Sequence, residues 1–131
     1  MTNCCPNFAL NQNITAMRKS NVSKFIDRFN IAGFTFWDGY MIFDKLRAGQ
    51  ELMLLREEDN RYDPQAVAIY FGDFKLGYIP RENNSMVCKF LDLGYTNIFE
   101  LRVQSVQPEA NPERQVYVAL YIKDARNEEN L

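Results

Sequence analysis

REEDNRYDPQAVAIYF, residues 56–71, and GYIPRE, residues 77–82, decide how this chain is read. The first eight positions hold four acids, two arginines and an asparagine, and then QAVAIYF turns apolar and β-prone. That change reads as a polar loop entering a buried strand. Gly72-Asp73 is a two-residue hairpin signal, so FKLGYIP returns as the next strand and Pro80 ends it.

Upstream, ELMLLRE (51–57) is a strand entered through the turn RAGQ (47–50). IAGFTFWDGYMI (31–42) is aromatic and reads as another strand, bent at Gly33 and Gly39. In SNVSKFIDRF (20–29), Val22, Phe25, Ile26 and Phe29 recur at helical spacing behind Ser20 as an N-cap, which predicts a short helix. Residues 1–19, rich in Asn and Thr, read as a flexible lead-in.

Downstream, Asn83, Asn84 or Ser85 can cap a helix with Met86, Val87, Phe90 and Leu91 on one face and Gly94 as its stop. Phe99, Leu101 and Val103 alternate with Glu100, Arg102 and Gln104, the period of a half-buried strand. QPEANPER (107–114) turns the chain into QVYVALYI (115–122), and residues 125–131 form a charged tail. The sum is a mainly β domain over residues 20–124, about six strands with one or two short helices. So small a sheet hides its edges by closing into a compact β-barrel.

Composition narrows the function. At 131 residues, 47% hydrophobic and 14% aromatic, the chain is one domain with a real core. A net charge of −2 argues against broad adhesion to DNA or anionic membrane, while leaving room for a small local site. With no histidine, imidazole bases, Ser-His-Asp triads and His-based metal sites are excluded. Cys4, Cys5 and Cys88 form neither a disulfide framework nor a CxxC zinc site, which fits a reduced cytoplasmic protein with Cys88 packed in the helix. Neither a secretory signal nor an apolar run of membrane-spanning length is present in the sequence.

Three kinds of chemistry remain. As an enzyme, the chain offers Glu57, Glu58, Asp59 and Asp63, which read as a solvated acidic loop; a nuclease would need Asp38, Asp63 and Glu82 to converge on magnesium. No P-loop, GxSxG or HExxH motif occurs, and no cofactor is implied. As a binder of unpaired nucleic acid, it offers Phe36, Trp37, Tyr40, Tyr62 and Tyr78 near strand ends, with Arg81 beyond. Aromatic faces stack on bases at about 1–3 kcal/mol each, although a ring in a small barrel is as readily core. As a protein-interaction module, it would use the same loops on a peptide or another subunit.

REEDNRYDPQAVAIYF followed by GYIPRE resembles the HIRAN domain, whose pattern runs RE-x-x-N-x-YD-x-NA, then G-[YH]-[IL]-x-[RK]. IAGFTFWDG looks like that family's first strand, and the similarity covers about residues 30–122. The resemblance implies an OB-like β-barrel, found in helicase-like transcription factors and in small stand-alone bacterial proteins. In the eukaryotic members the domain captures the 3′ end of single-stranded DNA. Carried over, it implies that Tyr62 stacks on the terminal nucleotide, that Asp63 accepts a hydrogen bond from the 3′-hydroxyl, and that Arg81 contacts phosphate. Tyr78 falls where the family has Tyr or His. Phe36 and Trp37 are further stacking candidates. Two departures stand out: Thr35-Phe36 replaces the family's Arg-aromatic pair, and Arg61 stands where Pro is common, a possible substitute for the missing charge. The expected partner is single-stranded or terminal DNA, bound without catalysis and away from membranes.

Overall fold

In the computed structural model the described residues are 23–126. The lead-in, the Ser20 cap, Cys4, Cys5 and most of the tail lie outside them.

Six strands form one antiparallel sheet: β1 (Lys24–Asn30), β2 (Glu51–Arg56), β3 (Val67–Phe71), β4 (Phe74–Tyr78), β5 (Phe99–Val106) and β6 (Val116–Ile122). Their order is β1-β6-β5-β2-β3-β4. Among the described residues one α-helix, α1 (Ser85–Asp92), lies between β4 and β5. The sheet curls so that Ala32, just past β1, bridges Tyr78 at the end of β4; the two N–H···O bonds are 2.8 and 2.9 Å. The edge strands thus meet at one point, and the fold is barrel-like. Val67, Ala68 and Ile69 of β3 are fully buried, as the unbroken apolar run of QAVAIYF requires. Cys88 is a buried free thiol in α1.

Two segments depart from the sequence reading. Residues 24–30 are strand, not helix. A bulge between Phe25 and Asp27 leaves Ile26 as an extra residue, which breaks the two-residue period. The apolar positions 26 and 29 then imitate helical spacing. Residues 31–42 were expected as strand; instead three consecutive 3-10 turns, Phe34–Phe36, Asp38–Met41 and Phe43–Lys45, occupy most of that stretch and run past its end. Gly33 is left-handed at φ 71°, and a Cβ on Gly39 would sit 2.4 Å from the buried Phe34 ring. Both glycines therefore serve tight turns, and the aromatics cannot alternate as in a strand. On α1, Val87 and Cys88 are buried and Phe90 and Leu91 partly so, while Met86 faces out instead of sharing their face.

Candidate functional site

The polarity of residues 56–66 is mostly internal to their loop. The Asn60 side-chain oxygen accepts the N–H groups of Tyr62 and Asp63 at 2.8 and 3.0 Å, and Asp63 Oδ1 accepts the N–H of Gln65 at 3.0 Å. These nested side-chain turns set the loop's shape. Glu57 N–H to the Ala66 carbonyl, 3.0 Å, closes its base. Arg56 lies beneath, donating to the carbonyls of Glu57, Pro64 and Ala66 and pairing with Asp92 of α1 at 2.8 Å. Asn84 holds the N-cap position of α1 but does not cap it with its side chain. Only 1% exposed, it donates instead to Asp63 Oδ2 at 2.9 Å.

Arg81, in a 3-10 turn just after β4, donates to the Tyr62 carbonyl and stands 3.9 Å from the Asp63 carboxylate. It therefore braces the loop while remaining largely exposed. Beside this loop, the 3-10 turns after β1 and the end of β4 enclose a groove of about 910 Å³. Seven of the residues singled out from the sequence line it: Phe36, Trp37, Arg61, Tyr62, Asp63, Tyr78 and Arg81; Tyr40, the other aromatic candidate, lines a separate hollow with Phe34 and Phe43. Phe36 and Tyr62 are 81% and 83% exposed.

Sequence reasoning missed Lys75 and misplaced Glu57. Glu57 was expected in solvent with Glu58 and Asp59; only the latter two are exposed. The Glu57 side chain is 20% exposed and its Oε2 lies 2.6 Å from the Lys75 ammonium, while its Oε1 accepts from Tyr78 Oη at 2.9 Å. Lys75 Nζ also reaches Tyr78 Oη at 2.7 Å and lies 3.8 Å from the Trp37 ring centre. A bulge explains the grouping. Tyr70 pairs with Lys75 and Ile69 with Gly77, so Leu76 is the extra residue and Lys75 and Tyr78 come to one face. A lysine amid apolar residues beside a glycine, as in FKLGY, was the available signal.

Burial pushes the Glu57 carboxyl up, but hydrogen bonds from Lys75, Asn60 and Tyr78 outweigh it and leave it below the usual range. Burial likewise opposes the Lys75 charge, and its bonds to Glu57 and Tyr78 leave it above the usual lysine value. Burial is the main cause of Tyr78 being raised, so its hydroxyl stays neutral. The sign follows from linkage. Glu57 stabilises the fold above its unfolded-state pKa and loses that contribution as pH falls through its lower folded value. Lys75 keeps its contribution until pH rises through its raised value. Glu57→Gln is expected to melt lower than the native chain at neutral pH, with the gap narrowing as pH falls below 4; thermal melts across pH 3–7 check this. A constant gap would mean that the pair's charge is not what stabilises.

Asp38, Asp63 and Glu82 do not converge. Asp38 accepts the backbone N–H of Lys75 on the outer edge of β4, and Glu82 lines a separate hollow with Asp27 and Lys89. Among the described residues no cluster of three or more metal-ligating side chains occurs, and no helix is long and apolar enough to cross a membrane.

A six-stranded antiparallel sheet curled to a near-closed barrel, with its groove beside one strand end, defines a small OB-like β-domain. The sequence model of the HIRAN domain matches residues 27–123, and the chain belongs to that family. Two solved structures share the fold. One, a protein from Lactobacillus plantarum, is 24% identical with a TM-score of 0.61, covering 77% of this chain and 95% of its own. The other, the HIRAN domain of human HLTF, is 14% identical with a TM-score of 0.53, covering 82% of this chain and 85% of its own. No curated protein matches the chain.

Proposed function

We propose that this chain is a non-catalytic DNA-binding module whose groove receives the 3′-hydroxyl end of a single strand. The observation that carries the reading is the pair Phe36 and Tyr62. They are the most exposed large apolar side chains among the described residues, and both line one groove with Arg61 and Arg81. Leaving two rings in water is unfavourable unless something covers them, and bases cover aromatic faces without regard to sequence. Arg61 and Arg81 supply phosphate contacts. The Asp63 carboxylate uses two of its roughly four acceptor sites within the protein, which leaves room to accept from a hydroxyl. An ionised carboxylate repels a terminal phosphate, so end discrimination follows from charge.

Fluorescence anisotropy with a short oligonucleotide ending in 3′-hydroxyl, and with its 3′-phosphate counterpart, tests this. The hydroxyl form is expected to bind more tightly, and two phosphate contacts predict a log–log salt slope of roughly −1.4. Tyr62→Ala is expected to cost about 1–3 kcal/mol, one stacked base. No binding to either oligonucleotide at low salt would refute the reading and leave the groove to a peptide; equal binding would remove Asp63 from end recognition. Because Asp63 also shapes the loop, Asp63→Asn needs a melting curve beside its affinity.

A further inference from the structure

Lys75 is the groove's third cation, and its environment differs from that of Arg81. Its side chain is 12% exposed against 69% for Arg81. An ammonium has three donors. Two go to Glu57 Oε2 and Tyr78 Oη, and the charge lies over the Trp37 ring at 3.8 Å and near the Tyr78 ring at 4.5 Å. A phosphate could reach this ammonium only by displacing Glu57, leaving a half-buried carboxylate unpaired beside another anion. Lys75 is therefore spent within the protein.

It is spent on two rings. Trp37 joins two 3-10 turns and lies edge-to-face with Tyr78, centroids 5.9 Å apart at 73°. Lys75 lies against one face of the indole, and Trp37, still 37% exposed, lines the groove. We propose that Lys75, neutralised by Glu57, is a positioning residue that fixes Trp37 as a one-faced platform for an unpaired base and adds to affinity without touching phosphate. This rests on the groove being a nucleic-acid site.

Trp37 is the sole tryptophan, so intrinsic emission reports on it alone. In the ligand-free protein, Lys75→Met should make Trp37 more accessible to acrylamide, while Lys75→Arg, which keeps a cation over the ring, should stay near the native value. Lys75→Met should weaken oligonucleotide binding about 5- to 10-fold at every salt concentration, the loss of one stacking surface, with the salt slope unchanged. Arg81→Ala should instead flatten the slope by roughly 0.7, one phosphate contact. A slope flattened equally by Lys75→Met would overturn the proposal in favour of a phosphate contact. Unchanged quenching or unchanged affinity in a folded Lys75→Met protein would overturn it as well. If the native chain binds no oligonucleotide, the reading of the groove itself fails, and this proposal with it; binding by the native chain with an indifferent Lys75→Met variant sinks only the role of Lys75.

Discussion

Arg56→Ala is expected to destabilise the domain by about 2–3 kcal/mol, roughly 8–15 °C in melting temperature for a domain of this size. Arg56 is the last residue of β2, and its guanidinium is largely buried beneath the loop that begins at Glu57. Truncation removes donors from three carbonyls at once: Glu57 at 3.0 Å, Ala66 at 3.1 Å and Pro64 at 2.7 Å. Most of the cost comes from those carbonyls, because Asp92, the fourth partner, can return to water. Its hydrogen bond to Arg56 holds the Asp92 carboxyl below the usual range against a smaller opposing effect of burial, and its side chain is 41% exposed. Arg56→Lys should recover only part of the loss, since a single ammonium cannot span the positions that a planar fork reaches. Thermal melting gives the magnitude, and hydrogen exchange of the 57–66 amides locates it. A variant melting within about 2 °C of the native chain, with the loop still protected, would show that the loop holds itself without Arg56.

The same loop shows what the sequence could and could not disclose. Asn60, Asp63 and Pro64 are turn residues whose side-chain geometry is local, so the loop was legible from its letters. Strands β2 to β6 were legible because alternation, or an unbroken apolar run, survives in them. Both large misreadings lie where a local feature breaks the period. The Ile26 bulge made β1 resemble a helix, and two glycine-supported turns hid behind the strand-like aromatic run of residues 31–42. Six strands were expected and six are present among the described residues, yet one of them occupies a different segment.

For the site, the curled sheet brings seven of the nominated side chains, from loops and a strand end, to one groove, while Tyr40 lies in a separate hollow. What the sequence hid was the company they keep. Glu57 is indistinguishable from Glu58 and Asp59 in a string of acids, and its separation from them depends on Lys75, 18 residues away. That meeting depends in turn on the bulge at Leu76, which Gly77 within FKLGY hints at without fixing its register.

Gly77→Ala is expected to be the most damaging single-methyl change, at about 3–5 kcal/mol. Gly77 sits in β4 at φ 147°, a conformation that residues with a Cβ rarely adopt. An added Cβ would lie 2.3 Å from the Ala32 carbonyl oxygen and 2.7 Å from Ile31 Cγ2. The first contact is backbone, so no rotamer change relieves it. The second belongs to a core residue only 1% exposed. Relief requires the Ala32 segment to withdraw from β4, and both hydrogen bonds of the Ala32–Tyr78 bridge go with it. Beyond Ala32 the chain runs through Gly33 to Phe36 and Trp37, so the wall of the groove opposite Tyr62 should loosen with the closure. Gly49→Ala is the control: φ is 95° there, but nothing lies within 4 Å of the new methyl, so only backbone strain of about 1–2 kcal/mol is expected. Denaturant melts of the two variants would separate steric closure from backbone strain. Equal losses at both positions would mean that the close approach of β4 to Ala32 contributes nothing beyond the positive φ. A larger loss at Gly77, with Trp37 emission altered in the fraction that stays folded, would tie the bridge to the groove.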